Sequence, residues 1–432
     1  MPASAAESST QGVTPYSRPM SEPPEPATGP LAGVRVLEMG SFIAGPFAGQ
    51  LLGDYGADVV KLEPPGSGDP MRVWGTTLDG ESLWWPAIAR NKRSVAIDMR
   101  DERGRDTVSR LIDNVDVVLE NFRPGRLVEW GMSYAELAAR NPRLIVVHVS
   151  GFGQTGPRAG EAGFGSIGEA VGGIRFTTGN PDSQPSRCGI SLGDSLAALF
   201  AVVGTMAALN ERHGSGRGQE VDVAIYEAVA ALMESTMSDF ELGGRLRTRT
   251  GSVLPGVAPS NVYPTADGAS VILAANADAV YRRLCTAMGR PELATDARYA
   301  RHGARGENME ALDAEIATWT STLTAKDALV VLADHGVPAG EIFTAENMLN
   351  DEHYAARDMV VRPSHRSGGT IPMTGVVPKF SRTPGTVRFT GPRLGEHTRP
   401  VLAELAGIAD AEIDELINSG IVAVPADPDR EG

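Results

Sequence analysis

Five short β-branched runs, spaced at helix-length intervals, constrain this chain more than any other feature. VRVLEM, DVVKLEPP, SVAIDM, DVVLEN and LIVVHVSGFG read as strands. FAGQLLGDYGA, GRDTVSRLIDNV and SYAELAARN, with apolar residues at helical spacing, fill the intervals after the first, third and fourth. Such alternation builds βαβ units, and so predicts an α/β fold with a parallel, Rossmann-like sheet. Ligands of these sheets bind beyond the carboxyl ends of the strands, which directs attention to the loops SFIAGP, EPPGSGDPMR, MRDERG, ENFRPG and SGFGQTG.

Composition sets the domain plan around this core. Residues 1–29 are rich in Ser, Pro, Ala and Glu and nearly lack large apolar side chains, so they are expected to be a disordered tail. Residues 30–225 form the first part of the large domain, ending with GDSLAALFAVVGTMAALNER, a helix apolar enough all round to be expected in the interior. A linker helix and loop follow at 226–254, then a small α+β domain at 255–345 and a return segment, 346–432, that completes the large domain.

The charge balance, 54 acidic against 39 basic residues for a net −15, argues against a protein that grips nucleic acid through its phosphates. Two cysteines, Cys188 and Cys285, lie too far apart in sequence for a metal motif or a disulfide framework. No run approaches the roughly 20 apolar residues that span a bilayer, and the first residues lack the order of a secretory signal. The expectation is a cytoplasmic protein with no membrane partner and no metal.

Familiar nucleotide and hydrolase motifs, GxxxxGK[ST], GxGxxG after the first strand, GxSxG and HExxH, are missing. His148, inside LIVVHVSG, reads as a satisfied core residue. Arg72, Arg93, Arg100, Arg123 and Arg126 all follow or adjoin strands, and guanidinium groups there suit a polyphosphate. PPGSGDP, just before Arg72, is either part of that anion site or only a tight loop. Asp194 sits in GISLGDSLAALF, where extended chain turns into the apolar helix. It is either an N-cap or a carboxylate nucleophile, since an ionised carboxylate beside backbone N–H groups can attack an activated acyl carbon. The sequence leaves both open.

The ordered set LAGVRVLEMGSFIAGPFAGQLLGDYGADVVKLEPPGSGDPMR, NKRSVAIDMR, ENFRPG, NPRLIVVHVSGFGQTGP, ISLGDS and GSGRGQEVDVAIYEA resembles the family III CoA-transferases over residues 31 to about 422. The resemblance implies an interlocked homodimer whose small domain covers the active site. It also implies coenzyme A or an acyl-CoA as substrate, with no tightly bound cofactor and a small carboxylic acid as the second partner. Asp194 falls on the family's nucleophile. Phe42, Ile43 and Ala44 fall on its pantetheine loop, Ile97 and Arg100 near the nucleotide, and Asn121, Phe122 and Arg126 on its other CoA contacts; Arg72 and Arg123 are added from charge and position.

Where relatives carry a Tyr-Glu pair or a catalytic histidine, this chain has Phe164-Gly165, with Glu169 shortly after. Loss of the histidine removes one acid/base group from the racemase reaction of the same group. The implied reaction is transfer of CoA to a small acid through an aspartyl-CoA thioester, with an acyl-CoA racemase or a non-catalytic CoA-binding protein as alternatives. Ser166, Arg175 or Arg187 beside the pocket would favour a dicarboxylate, with succinyl-CoA as a donor. Glu169 is expected to face solvent or to bind a backbone donor, a role in the pocket being the alternative.

Overall fold

The computed structural model describes residues 28–78, 80–366 and 368–425, so the expected 1–29 tail lies outside the described residues except at its end. The chain divides into two compact units. One holds residues up to Gly165, Gly193–Ala228 and Arg357 onward; the other holds Ser166–Leu192 and Val229–Ala356. Residues 166–192, read as part of the large domain, therefore belong to the second unit. So does nearly all of the 226–254 stretch read as a linker.

In the first unit the expected strands form, as β1 (Arg35–Glu38), β2 (Asp58–Glu63), β3 (Lys92–Ile97), β4 (Val117–Glu120) and β5 (Ile145–Ser150), joined by β6 (Glu220–Ala224). The helices that matter for the site are α1 (Ala44–Asp54), α2 (Glu102–Ile112), α3 (Tyr134–Arg140) and α4 (Leu192–Ser215). The six strands are parallel in the order β3-β2-β1-β4-β5-β6, and the short strand Val422–Ala423 adds antiparallel to β3 at the edge. Sequence order reverses between β1 and β4. In an open parallel sheet that reversal splays the loops after the two strands apart, leaving a crevice at their carboxyl ends.

Local chemistry fixes the helices. Asp101 caps α2 by accepting from Arg103 N at 2.8 Å, and Ser133 with Glu136 makes a capping box on α3. Their inner faces, including Val108, Leu111, Ile112 and Leu137, join Leu37, Val60, Val95 and Val118 of the sheet in one core. The closing helix pair contributes Val401, Leu402, Ile413 and Leu416 to the same cluster, so the return segment completes the core that the first strands begin. Each such side chain contributes about 1.5–3 kcal/mol by leaving water.

Two expectations about α4 need correction. Its 24 residues are long and apolar enough to cross a membrane by length and composition alone, which the sequence reading missed. Nor is it interior on all sides. Half of its most apolar window is buried, with Gly204 close against Val221 of β6, while Leu199, Phe200, Val203 and Met206 are exposed. The segment's apolar surface exceeds what one face of a sheet can cover.

The second unit has its own core, built on an antiparallel sheet ordered Ala339–Glu341, Ser270–Ala274, Ser260–Pro264. Tyr263, Val271, Leu273, Tyr281, Leu284 and Ile316 are among its fully buried members. The strand Ser260–Pro264 lies in the proline-containing start of the segment expected as the small domain, where Asn261-Val-Tyr263 supplies the pairing residues.

Candidate active site

A cavity of about 270 Å³ occupies the crevice at the strand-order reversal. It is lined by Ser41 to Ala44 after β1, Asn121 to Pro124 after β4, Val149 to Gly151 at the end of β5, the 161–164 loop, Ile225 and Asp194. A larger cleft, about 370 Å³, opens at the amino ends of the strands around Arg35, Asp116, Arg143 and Arg212. There the Asp116 carboxylate is taken up by Arg212 at 2.9 Å. The smaller cavity is the candidate site, because it holds Asp194 at the carboxyl ends of the strands.

Asp194 is not the N-cap of α4. The helix begins at Leu192, so Asp194 sits in its first turn, where the helix dipole favours a carboxylate. The residue opposite has no side chain for a reason: a Cβ built on Gly165 would lie 2.1 Å from Asp194 Oδ2 and 2.6 Å from its Cγ. Phe164, two-thirds exposed, turns its ring edge to Phe42 at 6.2 Å between centroids.

The loop after β1 forms the other wall. Phe42 has φ +64, a left-handed conformation uncommon for a bulky residue, and α1 starts directly after it with Ile43 at the N-cap position. Ile43 has no side chain able to cap and Pro46 has no N–H, so the first turn of α1 is left with the N–H groups of Ala44 and Gly45, and Ala44 lines the cavity. Asn121 holds the loop from β4: its Oδ1 accepts from Ser41 N at 2.8 Å and its Nδ2 donates to Ser41 O at 2.9 Å. Gly40 and Gly45 allow that approach, since a Cβ at either would meet the Asn121 amide.

Next to Asn121, Glu120 divides its oxygens between two partners. Oε2 accepts from Phe122 N at 2.6 Å, and Oε1 meets His148 Nδ1 at 2.5 Å; Nε2 of the same ring lies 3.2 Å from Glu220. His148 is thus a buried, satisfied residue that also orients the ENF loop. Burial works to lower its pKa, but the hydrogen bonds and charges of Glu120 and Glu220 prevail and raise it above the ordinary 6.5. A raised folded-state pKa means that the stabilisation is complete below 6.5 and is lost as pH rises through the folded value. His148→Gln should therefore lower the melting temperature most at about pH 6 and least at about pH 9, which thermal melts of both proteins across that range would show.

Of the other arginines, Arg100 is fully exposed beside Asp98, Arg126 is half-exposed beside Glu129, and Arg123 lines the cavity mouth and donates to Gly160 O at 2.8 Å. Phe122 packs edge-on against Trp130 at 5.2 Å.

Arg72 and Arg93 do not fit an anion site. Arg72 spends its fork on Glu63, with Nε and Nη2 each 2.7 Å from a carboxylate oxygen, donates to Pro392 O and lies 3.9 Å over the Trp85 ring. Its neighbour loop PPGSGDP is folded on the same carboxylate, Asp69 N donating to Glu63 Oε2 at 2.9 Å, so it is a tight loop and not an anion cradle. Arg93 stands near the amino end of β3, away from the crevice, and pairs with Asp58 and Glu404. Ile97 is 1 % exposed in the core, which leaves no side-chain surface for an adenine ring. Glu169 does not face solvent: it is 2 % exposed and paired with Arg175 at 2.5 Å in the second unit.

Sequence reasoning missed a buried ion network of Glu38, Lys61, Glu63, Asp69 and Lys92 beside the loop after β1. Burial alone would lower Lys61, but Glu38, Asp69 and Glu63 raise it; Lys92 has only Glu38 as a direct carboxylate partner, and burial pulls it down to about 8. The available signal was charge inside strands, in VKLE and NKRS, where a doubly covered sheet should be apolar.

The chain is similar to known proteins along most of its length. Residues 31–398 match the model of CoA-transferase family III. The chain is 55 % identical over 385 residues to a succinyl-CoA–D-citramalate CoA-transferase of Chloroflexus aurantiacus, covering 89 % of this chain and 96 % of that one. It is 38 % identical to a succinate–glutarate CoA-transferase of Agrobacterium fabrum, over 88 % of this chain and 96 % of that one. Among solved structures, a CAIB/BAIF family protein from Brucella suis superposes with a TM-score of 0.77 at 36 % identity, covering 88 % of this chain and all of that one.

Proposed function

The chain belongs to CoA-transferase family III, an enzyme family that moves CoA between carboxylic acids, and on that footing we propose a succinyl-CoA-dependent transferase acting on a second small dicarboxylate through Asp194. The names of the Chloroflexus and Agrobacterium relatives pair succinyl-CoA or succinate with citramalate or glutarate, both C5 diacids, which supports the donor and the size of the acceptor. The observation that carries the mechanism is Asp194 in the first turn of α4, sharing one cavity with the uncapped start of α1.

The Asp194 carboxylate attacks the donor's thioester carbonyl and displaces CoA thiolate, giving an aspartyl–acyl anhydride. N–H groups at the start of α1 receive the charge that develops on the carbonyl oxygen. The thiolate then attacks the aspartyl carbonyl, succinate leaves, and an aspartyl-CoA thioester remains. An incoming carboxylate attacks that thioester and displaces the thiolate again; the thiolate attacks the new acyl carbon and Asp194 is regenerated as a carboxylate. No net proton is consumed, so the cycle calls for no general acid. Arg123 at the cavity, with Arg100 after β3 and Arg126 after β4, are the residues we assign to the CoA phosphates, with Asn121, Phe122 and the Phe42–Ala44 backbone along the pantetheine arm.

Incubation with succinyl-CoA and a panel of mono- and dicarboxylic acids, followed by mass spectrometry of the CoA products, tests the specificity. Products from C4–C5 dicarboxylates at rates well above those from monocarboxylates support it; equal rates contradict it. Deuterium uptake at Cα of a 2-methylacyl-CoA without any acid would instead indicate a racemase.

An interlocked homodimer is part of the same proposal. The apolar stripe Leu199, Phe200, Val203 and Met206 on α4 is the kind of surface a second copy covers. Light scattering of the active enzyme should give twice the chain mass, and an active monomer would rule the dimer out.

A further inference from the structure

The mechanism above uses none of the charged groups packed beside the loop after β1. Glu38, Lys61 and Lys92 are no more than 1 % exposed, and Glu63 and Asp69 are 2 % exposed. Burying so many ions is poor economy for stability alone, because lost hydration offsets most of what their attraction returns. What the network grips suggests its purpose.

Lys61 Nζ, 2.8 Å from both Glu38 and Asp69, donates to Gly40 O at 2.9 Å. Lys92 Nζ, 2.7 Å from Glu38, donates to Pro46 O at 2.6 Å. Asp69 Oδ1 accepts from Phe42 N at 3.2 Å and from Met71 N at 2.9 Å. Three charged side chains thus end on the backbone of one turn, at residues 40, 42 and 46. Helix α1 rests directly on them: a Cβ on Gly49 would lie 2.0 Å from Glu38 Oε2. Phe42, at φ +64, is the strained residue of that turn, and strain of this kind persists only where the surroundings over-determine it.

We propose that Asp69, anchored by Lys61, is a positioning residue for CoA transfer: it holds Phe42 in the left-handed conformation and so aims the first-turn N–H groups of α1 at the thioester carbonyl beside Asp194. Asp69 touches no substrate. The inference rests on the transferase reading for its kinetic consequence, but its structural half does not.

Two readouts separate these. In Asp69→Ala, kcat should fall about 100-fold, as for a lost oxyanion donor, with KM for succinyl-CoA changed less than about threefold. Amide exchange of the segment 41–45 should quicken by about tenfold while the rest of the sheet keeps its protection. Asp69→Asn retains the oxygen that accepts from Phe42 N and should recover kcat to within about tenfold of the parent. A folded Asp69→Ala enzyme with unchanged kcat, or with lost kcat and unchanged exchange at 41–45, overturns the proposal. Should Asp69→Ala not fold, Asp69→Asn decides: kcat and exchange must move together, and a change in one without the other overturns it. If the parent protein itself transfers no CoA, the transferase reading fails while the exchange comparison still judges the positioning.

Discussion

Replacing Asp194 with alanine is expected to abolish CoA transfer, with kcat reduced by roughly 10⁴-fold or more, because the change removes the carboxylate on which the acyl intermediate forms. The fold should survive. Asp194 is a first-turn residue of α4, and losing its interaction with the helix dipole costs less than about 1 kcal/mol. Neighbouring Gly193 and Leu196, which bury that turn, are untouched. CoA should still bind, since the loops after β1 and β4 remain in place. Steady-state kinetics, calorimetric CoA titration and thermal melts on the same preparation separate these effects. Turnover within tenfold of the parent would exclude Asp194 as nucleophile.

The second large effect is expected at Gly165, which acts through the space it leaves. Its φ is not in the left-handed region, so alanine is allowed by the backbone, and the whole penalty falls on the contact with the Asp194 carboxylate at 2.1 Å. Either the carboxylate rotates away or the segment before it shifts by about 1 Å, and displacement of that size costs about 10²-fold in turnover. Gly214, on α4, is the control. A Cβ there meets nothing within 4 Å, so Gly214→Ala should leave kcat unchanged and stabilise the helix by a few tenths to about 1 kcal/mol. If Gly165→Ala turns over as fast as Gly214→Ala, the carboxylate does not need its observed position.

The sheet and its crevice were legible because β-branched runs at helix-length spacing admit few other folds, and the five strands fall where those runs stand. Asp194 was legible as a candidate, but its place inside the first turn was not. The mark that could have shown it is Ser191, directly before the helix and three residues before Asp194, since serine is a favoured N-cap residue. Arg72 shows the limit of reasoning from charge and position. Nothing in EPPGSGDPMR says that Glu63 and Arg72 fold back on each other, so a guanidinium after a strand looked free to bind phosphate. Arg93 misled for a related reason, because the strand starts one residue before it.

The buried network was hidden by the same habit in reverse. The carboxylates that make the burial of Lys61 and Lys92 tolerable, Glu38 and Asp69, stand on other segments of the chain. Gly165 was noted for the residue it replaces. Only the structure shows that any side chain there would collide with the nucleophile. The division at residues 166–192 has no compositional mark at all, since its two short helices, Gly165–Val171 and Ile174–Thr177, continue the glycine-rich texture of the loop before them.

The central claim is that CoA passes through a covalent bond to Asp194. Mass spectrometry of the tryptic peptide 188–212, which contains Asp194, after brief incubation with succinyl-CoA and no acceptor tests it most directly. The account predicts a CoA adduct on Asp194 that disappears when an acceptor dicarboxylate is added. A turning-over enzyme whose peptide never carries CoA or an acyl group at Asp194 would contradict it.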